Sequence, residues 1–278
     1  RGGEATMLTE EEKWRFDLHG YLHLRGAVPA EDVRRMVELS DDWHSKPDSE
    51  LPPPVTSYRD PSTHTTTPRS LNNVHYADDV FQRLTLNLEI MRVVLALTDN
   101  CPQLLAVSLT RNTTESDDIP FHGGFTGGLR NPANDYQAGE GRVFTTFINA
   151  ALSLVDIPEG KGFVCVAGSH KSNFAKPADV NIYSDPPEVV NVPAKAGDVV
   201  VFTELLCHGA RKWEEPTPRR TVFVRYSTSY ASWSPGLAPI AEHRDKLWPE
   251  VAELQSTAGF QHRKDVVKRI LSDLGEGE

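Results

Sequence analysis

Cysteine is scarce in this chain: three in 278 residues, none paired as Cys-x-x-Cys. That excludes a disulfide framework and a thiolate zinc site. No apolar run approaches the roughly 18 residues that a membrane helix needs, so a helical span is excluded as well. Basic charge is also short. Lys and Arg number 29 against 39 Asp and Glu, for a formal net charge of −10, the opposite of the balance a nucleic-acid binder shows. A small anion gripped by a few local arginines stays compatible with that charge. Signal-peptide and lipidation motifs are missing, which makes a reducing cytoplasm the expected compartment. Repeats and low-complexity tracts are missing too. What remains is a chain with 38% hydrophobic residues, enough for one core.

The pattern along the chain changes near residue 100. Thr9-Glu10-Glu11-Glu12 is a capping-box start, and Gly20 stops the short helix that follows. Tyr21 to Leu24 reads as a strand. Pro29 to Trp43 carries Val33, Met36 and Val37 at helical spacing, and Phe81 to Leu97 reads as one amphipathic helix. Residues 45 to 70, rich in Pro, Ser and Thr, are expected to be a long loop, either disordered or a lid over the site. Beyond Leu104 short apolar strands take over: Leu104–Leu109, Val143–Val155, Gly162–Val166, Val189–Val192, Val199–Phe202 and Thr221–Tyr226. Runs of short strands with Gly and Pro turns point to an antiparallel sandwich or barrel. The expected fold is mainly β with flanking helices, a double-stranded β-helix of the jelly-roll or cupin type. The expected organisation is one domain over 1–278. It has a helical N-terminal region over residues 1–100, a jelly-roll core of about 101–232, and C-terminal helices within 239–274.

The motifs with chemical content lie inside that core. Phe121-His122-Gly123-Gly124 comes first. Gly168-Ser169-His170-Lys171 follows, then Gly197-Asp198 before Val199 to Phe202, then Cys207-His208-Gly209, then Pro218-Arg219-Arg220 at the head of a strand. Non-haem iron oxygenases hold the metal with two His and one carboxylate and leave positions open for chemistry. An Arg at a strand head can place its two-pronged guanidinium on a carboxylate, a geometry that Lys does not match. Arg220 competes with Arg219 for the inward position, and a surface ion pair is the plain alternative for either.

In this order and spacing the chain resembles the phytanoyl-CoA dioxygenase-like branch of the Fe(II)/2-oxoglutarate oxygenases. The resemblance runs from Phe16, Gly20, Tyr21, Leu22, Leu24 and Gly26 to about Tyr226, and is most specific from Gly160 to Arg220. It implies that His122 and His208 ligate Fe(II), that Arg219 binds the far carboxylate of 2-oxoglutarate, and that dioxygen is consumed. His170 is expected to be structural.

The sequence departs from the family's His-x-Asp at Gly124. Replacement of that carboxylate by Gly or Ala is the mark of the iron-dependent halogenases. Glycine leaves one metal position without a protein ligand, and chloride brings the same single negative charge, so the site's charge balance is kept. Gly124 is thus the expected halide position. Another reading is that Gly123, Gly124, Gly127 and Gly128 serve only the backbone of a loop. Asp117, Asp118, Asp135, Glu140 and Glu204 are alternative sources of a carboxylate. Three functions therefore stand: a halogenase of a small free substrate, a hydroxylase of a small metabolite, or a non-catalytic jelly-roll binding module. Substrate selection is expected from loops 56–75, 123–140 and 227–236. Arg59, His64, Thr67 and Arg69 in the first could hold an anion, which makes a phosphorylated nucleoside the leading candidate; a solvated loop is the plain alternative.

Overall fold

The computed structural model describes residues 7–58, 69–124, 135–231, 237, 239–260 and 262–276. The chain opens with α1 (Glu10–His19), capped as its sequence demands. The Thr9 hydroxyl accepts from the Glu12 N–H, the Glu12 carboxylate accepts from the Thr9 N–H, and Gly20 closes the helix in the left-handed region at φ 81°. There follow β1 (Tyr21–Leu24), α2 (Ala30–Ser45), β2 (Thr56–Tyr58), β3 (Arg69–Asn72), α3 (Asp79–Thr85) and α4 (Leu88–Leu97). The single helix expected over Phe81 to Leu97 is two. The break is Asn87, whose side-chain oxygen accepts from the Ile90 N–H and starts α4 afresh, as a short amide side chain does best at an N-cap.

The strands of the core are β4 (Pro102–Asn112), β5 (Ile119–His122), β6 (Tyr136–Gly139), β7 (Arg142–Thr145), β8 (Phe147–Ser153), β9 (Gly162–Val166), β10 (Val189–Asn191), β11 (Val199–Thr203), β12 (His208–Arg211) and β13 (Arg219–Thr228). The strand expected over Val143–Val155 is interrupted at Thr146. There β7 leaves to pair with β6 while β8 enters the main sheet. Helices α5 (Pro249–Gln255) and α6 (Asp265–Asp273) close the described chain.

Two sheets face one another as a jelly roll. The larger has seven strands in the order β1-β11-β8-β13-β4-β3-β2, and the smaller has four, β10-β9-β12-β5. The N-terminal region expected to be helical thus also gives three strands to the large sheet. Period-two alternation decides the faces. Val222, Val224 and Tyr226 of β13 are buried beneath the helices, with Phe16, Met36, Phe81 and Ile90 in the same apolar cluster. Arg219, Phe223 and Arg225 face the space between the sheets.

Asp198, expected only as a turn residue, staples β11 to the chain before it. Its carboxylate accepts from the backbone N–H groups of Gly26 and Lys195 and meets His23 Nε2 at 3.0 Å. Burial alone would raise its pKa, but these hydrogen bonds outweigh burial and hold it below the usual carboxylate value. Among the described residues no helix is long and apolar enough to cross a membrane.

Candidate metal and co-substrate site

His122 ends β5 and His208 begins β12, and the antiparallel register of those strands sets them directly opposite one another. Their ring centroids are 4.2 Å apart. Each ring is oriented by its own strand. His122 Nδ1 donates to the Pro120 carbonyl at 3.0 Å and His208 Nδ1 to the Leu206 carbonyl at 2.7 Å. A carbonyl only accepts, so both rings carry the proton on Nδ1 and leave the Nε2 lone pair bare. That is the tautomer a metal requires, fixed by outer-shell bonds. Burial, with His122 beside it, pushes His208 down to about 3, which keeps it a neutral donor over the ordinary pH range.

The two histidines open onto a cavity of about 840 Å³ between the sheets. Phe163 and Phe202 flank His208, with ring centroids at 6.1 and 4.7 Å. Arg219, on the large sheet, lines the same cavity, is buried, and its Nε has no hydrogen-bond partner. An orphaned buried guanidinium is costly unless something charged meets it. Burial pushes it down to about 10, still a cation at neutral pH. Its neighbour Arg220 points to the opposite face of β13 and pairs with Asp41 of α2. The choice between the two left open by the sequence is therefore resolved: Arg219 is the inward one.

The described residues fit the groups implied by the resemblance. Two bare imidazole nitrogens face a chamber whose wall carries an unpaired cation, the donor set for a metal and a dicarboxylate. Among the described residues no group of three or more His, Cys, Asp and Glu is placed to hold a metal. Asp117, Asp118 and Glu204 do line the cavity, and Asp135 and Glu140 do not. Glu204 is drawn toward the large sheet, accepting from Asn149 Nδ2 at 2.7 Å.

Gly124 has a backbone reason of its own. Its φ is 70°, and a Cβ there would lie 2.9 Å from the Cys207 Cβ and 3.1 Å from that residue's N and Cα. Gly123 is similar, at φ 67°, with its Cβ position 2.8 Å from the Glu204 carbonyl. The loop can therefore press against the strand that delivers His208 only without side chains. Gly124 itself is not part of the cavity wall, so a side chain there would head for Cys207 in this backbone conformation.

Other expectations fall differently. Arg59, His64 and Thr67 lie outside the described residues. Arg69 does not reach the cavity: its guanidinium pairs with Asp48 and donates to the Lys46 carbonyl. From that loop Tyr58, Ser70 and Asn72 line the cavity instead. His75, at the end of the same loop, is buried and hydrogen-bonded by Gln255 of α5. His170 packs edge-on against Tyr136 at 4.5 Å, outside the cavity.

The phytanoyl-CoA dioxygenase (PhyH) family model matches residues 16–221. The chain belongs to the phytanoyl-CoA dioxygenase family. That family sits in the iron- and 2-oxoglutarate-dependent oxygenase superfamily, and the jelly-roll core is the family's own. No curated protein matches the sequence. Among solved structures, HygX from Streptomyces hygroscopicus with nickel, 2-oxoglutarate and hygromycin B bound is similar, with 23% identity and a TM-score of 0.68 over 84% of this chain and 95% of that one. SnoN, an α-ketoglutarate-dependent epimerase from nogalamycin biosynthesis, is 21% identical with a TM-score of 0.60, over 85% of this chain and 88% of that one. SnoK, a carbocyclase from the same biosynthesis, is 19% identical with a TM-score of 0.61, over 89% and 95%. At such identities the likeness speaks for the fold.

Arg225 and Asn149 of this family member went unseen in the sequence, although both line the cavity. A signal for Arg225 was present: Arg219, Thr221, Phe223 and Arg225 share the odd face of one strand.

Proposed function

We propose that the protein is an Fe(II)- and 2-oxoglutarate-dependent halogenase acting on an unactivated carbon of a small free substrate. The observation that carries the proposal is the paired histidines with bare Nε2 atoms and no third protein ligand beside them among the described residues. The segment that follows, residues 125–134, contains no Asp or Glu, so that loop has no carboxylate to offer. A single exogenous anion then restores the charge that the family's carboxylate would have brought.

Bound iron would supply hydrogen abstraction and chlorine return, with 2-oxoglutarate and dioxygen consumed. His122 and His208 hold the metal through Nε2, each ring kept in orientation by its own backbone carbonyl. Arg219 takes the far carboxylate of the co-substrate, which gives its unpaired guanidinium a partner. Phe163 and Phe202 keep water from the His208 side and leave a dry wall against which the substrate carbon rests. The phosphorylated nucleoside expected from the 56–75 loop gets no support from Arg69, which is engaged elsewhere.

A hydroxylase is the second reading, favoured by Glu204, the one glutamate that lines the cavity among the described residues. It requires Glu204 to leave Asn149 and complete a His, His, carboxylate set. Anaerobic absorbance of the Fe(II)–2-oxoglutarate complex separates the readings. A visible charge-transfer band that shifts on adding chloride is the expected result. A band indifferent to chloride supports the hydroxylase, and no band at all supports a binding module.

A further inference from the structure

The wall opposite the histidines carries a second polar group of residues that metal and co-substrate leave unused. Phe202, Asn149 and Arg225 occupy one cross-strand rung of the large sheet: Phe202 pairs with Asn149, and Asn149 with Arg225. Arg225 Nη1 donates to Ser108 Oγ at 2.9 Å, and its guanidinium lies 5.3 Å from the Phe223 ring centroid. Glu204 lies at the end of β11, its Oε2 on Asn149. The two opposite charges share the cavity and influence one another, yet no ion pair joins them among the described residues. A guanidinium has five N–H donors and a carboxylate can accept about four hydrogen bonds. Each of these groups therefore keeps capacity directed at the cavity.

From this geometry we infer that the chamber recognises a small zwitterion of the amino-acid type, carboxylate on Arg225 and ammonium on Glu204, with its apolar chain running toward the histidines. The assignment rests on the cavity being the substrate chamber of the halogenase reading. Charge decides against a phosphate ester. Arg219 is taken by the co-substrate, which leaves Arg225 as the one remaining arginine of the described wall, with the carboxylates of Asp118 and Glu204 on it too. A dianion would face more repulsion than attraction, while a molecule with one charge of each sign meets both. Distance sets the size. Phe202 touches His208, and two strand spacings, about 10 Å, separate its backbone from that of Arg225, so the anchor is set off across the large sheet from the residue beside His208. The aromatic side chains of Phe147, Phe163 and Phe223 line the way, which suits methylene groups and puts the reacting carbon several bonds from the carboxylate.

Calorimetric titration of the full chain, with and without Fe(II) and 2-oxoglutarate under anaerobic conditions, tests this. The probes are L-norleucine, hexanoate, pentylamine and 2′-deoxyadenosine 5′-monophosphate. L-Norleucine is expected to bind at least about tenfold tighter than hexanoate or pentylamine, the worth of one charge-assisted hydrogen bond. Arg225→Gln should erase its advantage over pentylamine, and Glu204→Gln its advantage over hexanoate, each with an unchanged melting temperature. Arg225→Lys, which keeps the charge, should restore part of the first. L-Norleucine binding no tighter than the single-charge probes, or the nucleotide binding tighter than all three, would overturn the inference. Because the titration needs only the cavity, a normal chloride-sensitive iron band without L-norleucine binding sinks this inference alone. Binding without any band sinks the halogenase reading alone.

Discussion

The two sheets that enclose the cavity are built in different ways and do different work. The seven-stranded sheet has a centre of longer strands, β4, β8 and β13 with 11, 7 and 10 residues, and is backed by a helical layer through one large apolar cluster. The four-stranded sheet has strands of three to five residues and meets the large sheet through a small apolar cluster that includes Cys165, Phe202 and Leu206. The large sheet carries the cations Arg219 and Arg225 on a rigid floor. The small sheet carries the histidines, set by a strand pair with a register irregularity between His208 and Ala210 and by glycines that let a loop lie against Cys207. In the proposed function, anions would be positioned by the large sheet and the metal by the one held by close backbone contact.

That contrast can be broken at several points. The largest effect belongs to the small sheet: His122→Ala or His208→Ala should weaken iron affinity by more than about 100-fold, beyond the loss seen for outer-shell partners. Metal analysis after anaerobic loading reads it, and retained iron would remove the residue from the ligand set.

On the large sheet the adjacent arginines should part company. Arg219→Leu is expected to weaken 2-oxoglutarate binding by about 100-fold, the loss of two charge-assisted bonds, with little change in melting temperature because no protein group is deserted. Arg220→Leu should leave co-substrate affinity unchanged and cost about 1 kcal/mol in stability, since its partner Asp41 is half exposed. Equal effects of the two changes on 2-oxoglutarate affinity would mean that the two faces of β13 are wrongly assigned.

Gly124 sharpens the comparison further. Gly124→Ala and Gly124→Asp meet the same strain, about 1–2 kcal/mol for a side chain at positive φ, plus the Cys207 contact. Both should lose stability in urea unfolding and both should lose chlorination. Hydroxylated product from the Asp variant alone would show that the loop can turn a carboxylate toward the metal.

A further effect is at the edge of the large sheet. The depressed pKa of Asp198 means its stabilisation is fully present above the unfolded carboxylate value near 3.8. It is lost as pH falls through the lower folded value. Asp198→Asn should therefore cost about 1–2 kcal/mol at pH 7, with the difference from the parent shrinking in acid. A difference independent of pH would assign the effect to packing.

The same contrast governs what could be read from sequence. The strands β9, β11 and β13 are β-branched or apolar runs with clear turns, and their bounds were visible to within a few residues. Ile-Pro-Phe-His has one β-branched residue beside a proline and His-Gly-Ala-Arg has none, and both are only four residues long, so β5 and β12 were not foreseen as strands. Only tertiary pairing makes them so. The candidates His122, His208 and Arg219 stood out because they sit in a recognisable order, and the structure brings all three to one cavity. Asn149 was not, because a lone Asn in an apolar strand carries no chemical signature until Glu204 is seen beside it. The Asp198 staple was hidden for a like reason: its partners Gly26 and His23 belong to a distant stretch of the chain.

The most direct test of the metal site is iron K-edge X-ray absorption on the anaerobic Fe(II)–2-oxoglutarate protein in chloride buffer, repeated with bromide. Two imidazole nitrogens and one halide scatterer, changing from chlorine to bromine with the buffer, is the expected result. An all-nitrogen-and-oxygen shell that ignores the halide would contradict it, and would return Glu204 to the iron.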